Sequence, residues 1–156
     1  MIRKIIKIFL VLLCMISIFT LSSDTAEISS RKSNIIIVKM TESFIRRDLN
    51  KKEEDYYVKK FVKLVRKSAH FTLYFLLGLS MISLSIEYIP LSNKSILTVI
   101  FLVFLYACSD EIHQLFIPGR SGEILDVLID TIGGITSIVL YTKIRRGKNE
   151  QKKAIS

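Results

Sequence analysis

Ser109-Asp110-Glu111-Ile112-His113-Gln114-Leu115-Phe116-Ile117-Pro118-Gly119-Arg120 closes an apolar run that begins near Ser95, and Asp126 and Asp130 open the next one. Both runs are long and apolar enough to cross a bilayer as helices. A charged side chain at mid-bilayer costs about 2.5–3.5 kcal/mol on insertion scales. Folded proteins have only about 5–15 kcal/mol of net stability. The carboxylates Asp110, Glu111, Asp126 and Asp130 must therefore be paired, protonated, metal-bound or turned towards water.

Working outward, the 156 residues carry a net charge of +9, and half of them are apolar. Mean hydropathy is +0.41. The apolar residues gather in long runs and the charge lies between and after them, which is the distribution of a membrane protein. Nucleic-acid binding is excluded as a reading, because no compact basic fold is left once the spans are removed. Cys14 and Cys108 both fall inside spans and have no metal-ligand or redox spacing, so they read as small apolar residues.

The pattern predicts an all-α membrane protein with about four transmembrane helices and a long polar connection after the first. Residues 1–22 form an N-terminal anchor, with Arg3, Lys4 and Lys7 before an apolar run from Ile5 to Leu21. That basic-then-apolar start is also signal-like, with Thr20-Leu21-Ser22-Ser23 as a mediocre cleavage site. Residues 23–66 form an extracytoplasmic connection. In its second half Tyr57, Phe61, Leu64 and Val65 sit among lysines at helical spacing, as in an amphipathic surface helix or a solvated spacer. The second span runs from Ala69 to Ile89 and stops at Pro90. The third runs from Ser95 to Ile117, and the fourth from Ile124 to Thr142 with Ser121 as its expected N-cap. Residues 143–156 form a basic cytoplasmic tail. With both termini inside, ten Lys and Arg lie inside and thirteen outside. Seven acids offset the twelve bases of the long connection, and the short basic flanks decide the orientation.

Connectivity brings His70, at the start of the second span, to the same membrane face as Asp110–Gln114 and Asp126–Asp130, with Arg120 in the turn between. On helical phase Asp110, His113 and Gln114 share a face, with Glu111 beside it. Asp126 and Asp130 continue into Gly133, Gly134 and Ser137, and His70 into Tyr74 and Gly78. Small residues let helices approach closely in lipid, so the acids are expected to face the bundle interior. Taken singly, His70 reads as an interfacial hydrogen-bonding residue, Arg120 as a headgroup anchor, and Asp126 and Asp130 as helix-to-helix bonds. Taken together, His70, Asp110, Glu111, Gln114, Arg120, Asp126 and Asp130 form a candidate ligand site. Counted with His113, the cluster is short of positive charge. Protons, a cationic ligand group or a divalent cation could fill that deficit, the cation with Asp110, Asp126 and Asp130 as candidate ligands.

At these residues the chain resembles the VanZ-like family of small bacterial membrane proteins. The resemblance rests on Lys67-Ser68-Ala69-His70-Phe71 with Tyr74-Phe75 and Gly78, on Asp110 through Arg120, and on Asp126-Val127 and Gly133-Gly134. It covers about Lys67 to Tyr141, half the chain, and implies a three-helix membrane domain over residues 67–142. Family members often have Asn where this chain has Asp130, and others have Asp; the Asp adds a charge here and departs from a purely amide hydrogen-bonding role. The resemblance implies a multi-pass protein of the bacterial plasma membrane and cell envelope, in a family named for a member linked to glycopeptide (teicoplanin) resistance. It implies no reaction. Three functions stay open. The first is an envelope protein whose acidic pocket binds a lipid-linked cell-wall component, a cationic group or a partner. The second is a membrane-embedded hydrolase or transferase acting on a lipid phosphate or lipid-linked sugar, with His70, Asp110 and Glu111 as candidate catalytic residues. The third is an ion-coupled transporter.

Overall fold

The computed structural model of the chain describes residues 1–155; Ser156 and the side chains of Asn149 and of residues 152–155, all assigned to the basic tail, lie outside the described residues. Among the described residues there are five helices and no strand. They are α1 (Ile2–Ser22), α2 (Ala26–Ile45), α3 (Lys51–Ser85), α4 (Asn93–Gln114) and α5 (Ile124–Ile155). Four of these, all but α2, are long and apolar enough to cross a membrane. Large apolar side chains such as Phe9, Leu12, Phe101, Leu105, Leu128 and Ile132 stay exposed on their outer faces, as a lipid-facing surface requires.

The connection after α1 is largely helical. Thr25 caps α2, its hydroxyl accepting from the Ile28 N–H at 3.3 Å. Ser29, Ser33 and Ile37, one turn apart, bury the face that α2 lays against α3. The reversal between the two helices turns at Arg46 (φ 58°). It is held by the Arg47–Glu53 fork (3.0 and 2.6 Å) and by an Asn50/Glu53 capping box that starts α3. At about 1.5 Å per residue, α3 is some 50 Å long against a hydrocarbon core of about 30 Å. Its first half, with Tyr57, Phe61, Leu64 and Val65, runs without a break into the second span, and α2 packs alongside. No proline or glycine interrupts Lys51 to Leu77, so nothing stops the helix at the polar–apolar boundary.

The other helix ends differ from the sequence reading in small ways. α3 ends at Ser85, four residues before Ile89, because Glu87 turns back to α1, where Lys7 donates to it and Arg3 lies 3.5 Å away. The Lys7 ammonium holds the Glu87 carboxyl below its ordinary range. α4 ends at Gln114 and its chain leaves through Gly119 at φ 76°. Ser121 is not the cap of α5: the helix begins at Ile124, and the Glu123 carbonyl accepts its first backbone bonds. α5 then runs on past Thr142 into the basic tail.

The buried centre of the bundle is Ile18, Tyr74, Leu77, Ile82, Val99, Val103, Ala107 and Ile138. Within it, α3 and α5 run in the same direction and touch backbone to backbone. A Cβ on Gly78 would lie 2.6 Å from the Gly134 carbonyl oxygen, and one on Gly133 would lie 2.6 Å from the Phe71 carbonyl oxygen. Lipid tails supply no hydrophobic drive between helices, so such close packing has to hold the pair. Gly78→Ala should therefore destabilise the protein by about 1–3 kcal/mol, the usual range for overpacking. Gly147→Ala, which meets nothing within 4 Å, should be neutral or raise stability by up to about 1 kcal/mol. Thermal unfolding of both variants in detergent checks the opposed signs.

Candidate functional site

The site forms where the α2–α3 hairpin joins the membrane bundle. α1 and α4 arrive there with their C-terminal ends, and α5 leaves from it. Lys67 and His70 are three apart on α3 and share a face, as do Asp126 and Asp130, four apart on α5. Because the two helices are parallel, these residues meet as two successive rungs. At the outer rung Lys67 pairs with Asp126 and lies 3.4 Å from Glu123. At the inner rung His70 Nδ1 lies 3.6 Å from Asp130 Oδ2.

From α4, Asp110 and Glu111 are both buried. At about 100° per residue, Gln114 falls between them on the helix face. Its amide bridges both, donating to Asp110 Oδ2 (3.2 Å) and Glu111 Oε1 (3.1 Å). The Gln114 carbonyl accepts from Arg120 Nη1 at 3.0 Å, and Arg120 Nη2 donates to the Leu21 carbonyl at 3.0 Å. Ser22, wholly buried at the end of α1, donates to Asp110 Oδ2 at 2.8 Å. The Glu123 N–H donates to Glu111 Oε2 at 2.8 Å. A continuous network thus ties the α4–α5 turn to the end of α1.

Asp130 stands apart from that network. It is 0% exposed, and neither of its carboxylate oxygens has a hydrogen-bond partner. His70, Asp110 and Asp130 each offer a ligating atom, all within 4.8 Å of one another. A cavity of about 10 Å³ lies beside them, lined by Arg66, Lys67, His70, Gln114, Ile129, Asp126 and Asp130. That is room for about one water. A second cavity of about 240 Å³ opens between the end of α1, α2 and α3, with Asp24, Lys32, Arg66, His70 and Arg120 in its wall. Lys32 is committed to Asp24 at 2.6 Å. Burial, with the like charge of Arg66 nearby, lowers the pKa of the Arg120 guanidinium.

Every candidate read from the sequence is present at this face, but in separate roles. His70, Asp110 and Asp130 converge. Asp126 is taken by Lys67, and Glu111 by Gln114 and the Glu123 backbone. His113 turns to α1 instead, stacking on Phe19 (4.6 Å between centroids) with Nε2 3.1 Å from Ser23 Oγ. Positions 113 and 114 point about 100° apart, so the two side chains meet different neighbours. The charge count from sequence left out Lys67 and Arg66. Lys67 shares its helix face with His70, a usable signal. Nothing local in Thr20–Ser23 marks Ser22 as a partner for Asp110.

The VanZ/LLP1 family model matches residues 7–145, and the chain belongs to that family. No curated protein and no solved structure matches it. The match takes in α1 and α2 as well as the motif-bearing helices, so the family unit is wider than residues 67–142. Replacing Gln114 by Leu should leave Asp110, Glu111 and Arg120 each short of a bond. The expected loss is about 1.5–3 kcal/mol, as for a hydrogen bond to a charged group, read as a lower unfolding midpoint in detergent.

Proposed function

We propose that this VanZ/LLP1 protein is a multi-pass envelope protein of the bacterial plasma membrane that binds the anionic headgroup of a lipid-linked cell-wall component. The observation that carries the reading is the 240 Å³ cavity at the membrane face, where Arg66 and Arg120 meet beside His70. A purely cationic ligand fits this cavity poorly, because the acids around it are already matched: Asp24 by Lys32 and Asp126 by Lys67. Guanidinium groups hold phosphate through a planar fork, and an amphipathic lipid reaches such a cavity sideways from the bilayer. A contribution to glycopeptide resistance would follow from occupancy of an envelope lipid.

One observation favours the second reading, a hydrolase or transferase acting on the same lipid phosphate. His70 is aligned against a buried carboxylate, the arrangement that orients a general base. Asp110 remains a candidate partner in that chemistry. Glu111 does not, since both of its oxygens are bonded.

The test is native mass spectrometry of the full chain in nanodiscs that contain envelope lipids. Wild type should retain a phosphate-bearing lipid. Arg66→Gln should retain it about tenfold less, the effect of losing roughly one charge-assisted hydrogen bond. Equal lipid occupancy in both proteins rejects the reading. Turnover of a labelled lipid diphosphate by wild type and not by His70→Gln would replace it with the enzyme.

A further inference from the structure

We infer that His70, Asp110 and Asp130 form a binding site for one divalent transition-metal ion. Two buried carboxylates this close together require a proton or a cation between them. Their neighbours do not supply the cation. Lys67 is held by Asp126 and Glu123, and Arg120 by Gln114 and the Leu21 carbonyl; Arg66 lines the adjoining cavity without pairing with either carboxylate among the described residues, and His70, 3.6 Å from Asp130, brings at most one charge for the two carboxylates. Ionised Asp110 and Asp130 carry two negative charges, which a divalent ion cancels.

The buried carboxylate of Asp130, with no hydrogen-bond partner among the described residues and His70 only at 3.6 Å, is the independent sign of a ligand. Leaving such a group without a partner costs more than almost any other single polar defect, so native structures rarely keep one. The His70–Asp130 separation of 3.6 Å is close to the spacing of two ligand atoms around one ion with metal–ligand bonds of about 2.0–2.2 Å. Asp110 needs only a small side-chain adjustment within the 4.8 Å span of the group. Its own supports are in place: Ser22 and Gln114 both donate to Oδ2, leaving Oδ1 for an ion. Such outer contacts orient metal-binding carboxylates.

The donor set selects the class of metal. One imidazole nitrogen with two carboxylates suits Zn²⁺ or Mn²⁺, whereas Mg²⁺ and Ca²⁺ prefer oxygen alone. Three protein ligands leave a position open, and the 10 Å³ cavity beside His70 and Asp130 has room for one water or one ligand oxygen there. The inference deepens the function proposed above, because an ion at this point would sit beside the Arg66 cavity and meet an anionic headgroup from its other side. The ion site itself can be tested without any lipid.

The experiment uses the full chain in detergent, stripped with chelator and then titrated with Zn²⁺, Mn²⁺ and Co²⁺ separately. Bound metal is counted by elemental mass spectrometry, and Co²⁺ ligation is followed by its visible absorption. Wild type should bind about one equivalent. Asp130→Asn and His70→Gln should each weaken binding by at least about 10- to 100-fold, the range seen even for outer-sphere changes. Glu87→Gln, at the opposite end of the bundle where it pairs with Lys7, should bind as wild type does. Ser22→Ala serves as a milder variant if a ligand substitution fails to fold, and should weaken binding about tenfold. Wild type that takes up none of the three ions overturns the site, as does unchanged affinity in the ligand variants. Metal uptake without lipid retention would sink only the headgroup reading, and lipid retention without metal uptake only this one.

Discussion

The contact on which the rest depends is the backbone-to-backbone approach of α3 and α5 at Gly78, Gly133 and Gly134. Each of these glycines faces an atom that a Cβ would crowd: the Gly134 carbonyl, the Phe71 carbonyl and the Val103 side chain. This closeness fixes the axial register of two parallel helices. Register then decides what meets one and two turns towards the membrane face, where His70 is set against Asp130 and Lys67 against Asp126. With a wider crossing, Asp130 would face lipid or a water-filled gap. In the observed one it is sealed among helices, next to an imidazole and a second carboxylate.

Around that contact, the polar groups of the site divide into satisfied and unsatisfied ones. The Ser22–Asp110–Gln114–Arg120–Leu21 chain of hydrogen bonds is continuous and joins α1 to the α4–α5 turn across nearly a hundred residues of sequence, with only Arg120 Nε in it buried and unbonded among the described residues. It braces the site and holds Asp110 and Arg120 in place. Asp130 is the opposite case, buried beside His70 but with no hydrogen bond to either oxygen among the described residues. The contrast is informative because the same low dielectric that strengthens a complete network penalises an incomplete one. A protein that completes one side of a site so fully, and leaves the other open, directs attention to the open side.

The site is also two-faced in charge. Its interior is acidic, while the wall of the wider cavity carries Arg66 and Arg120. Acid inside and guanidinium outside suit an ion and an anion meeting at one point. α1 is part of this arrangement. Tyr106 donates to the Met15 carbonyl at 2.8 Å, Lys7 to the Ser83 carbonyl at 2.8 Å, and Ser22 to Asp110. The first helix is thus bonded to the bundle at both its ends and in its middle.

Much of this was legible in the residues themselves. Long apolar runs dictate spanning helices because the bilayer leaves the backbone no other way to satisfy its hydrogen bonds. Connectivity alone then carries His70, Asp110 and Asp130 to one membrane face, and helical phase turns them inward. The motif around Asp110–Arg120 identified the family, though the family match reaches well beyond it into α1 and α2. What the residues could not decide was pairing. Asp126 and Asp130 look equivalent in sequence, yet one is paired with Lys67 and the other faces only His70 at 3.6 Å, without a hydrogen bond. His113 and Gln114 look like neighbours on a face, yet they serve different helices. Ser22 carries no local mark of its bond to Asp110. Partner choice depends on the distance and rotation between helices far apart in the chain, and those are set by glycine contacts and packing that exist only once the bundle has closed.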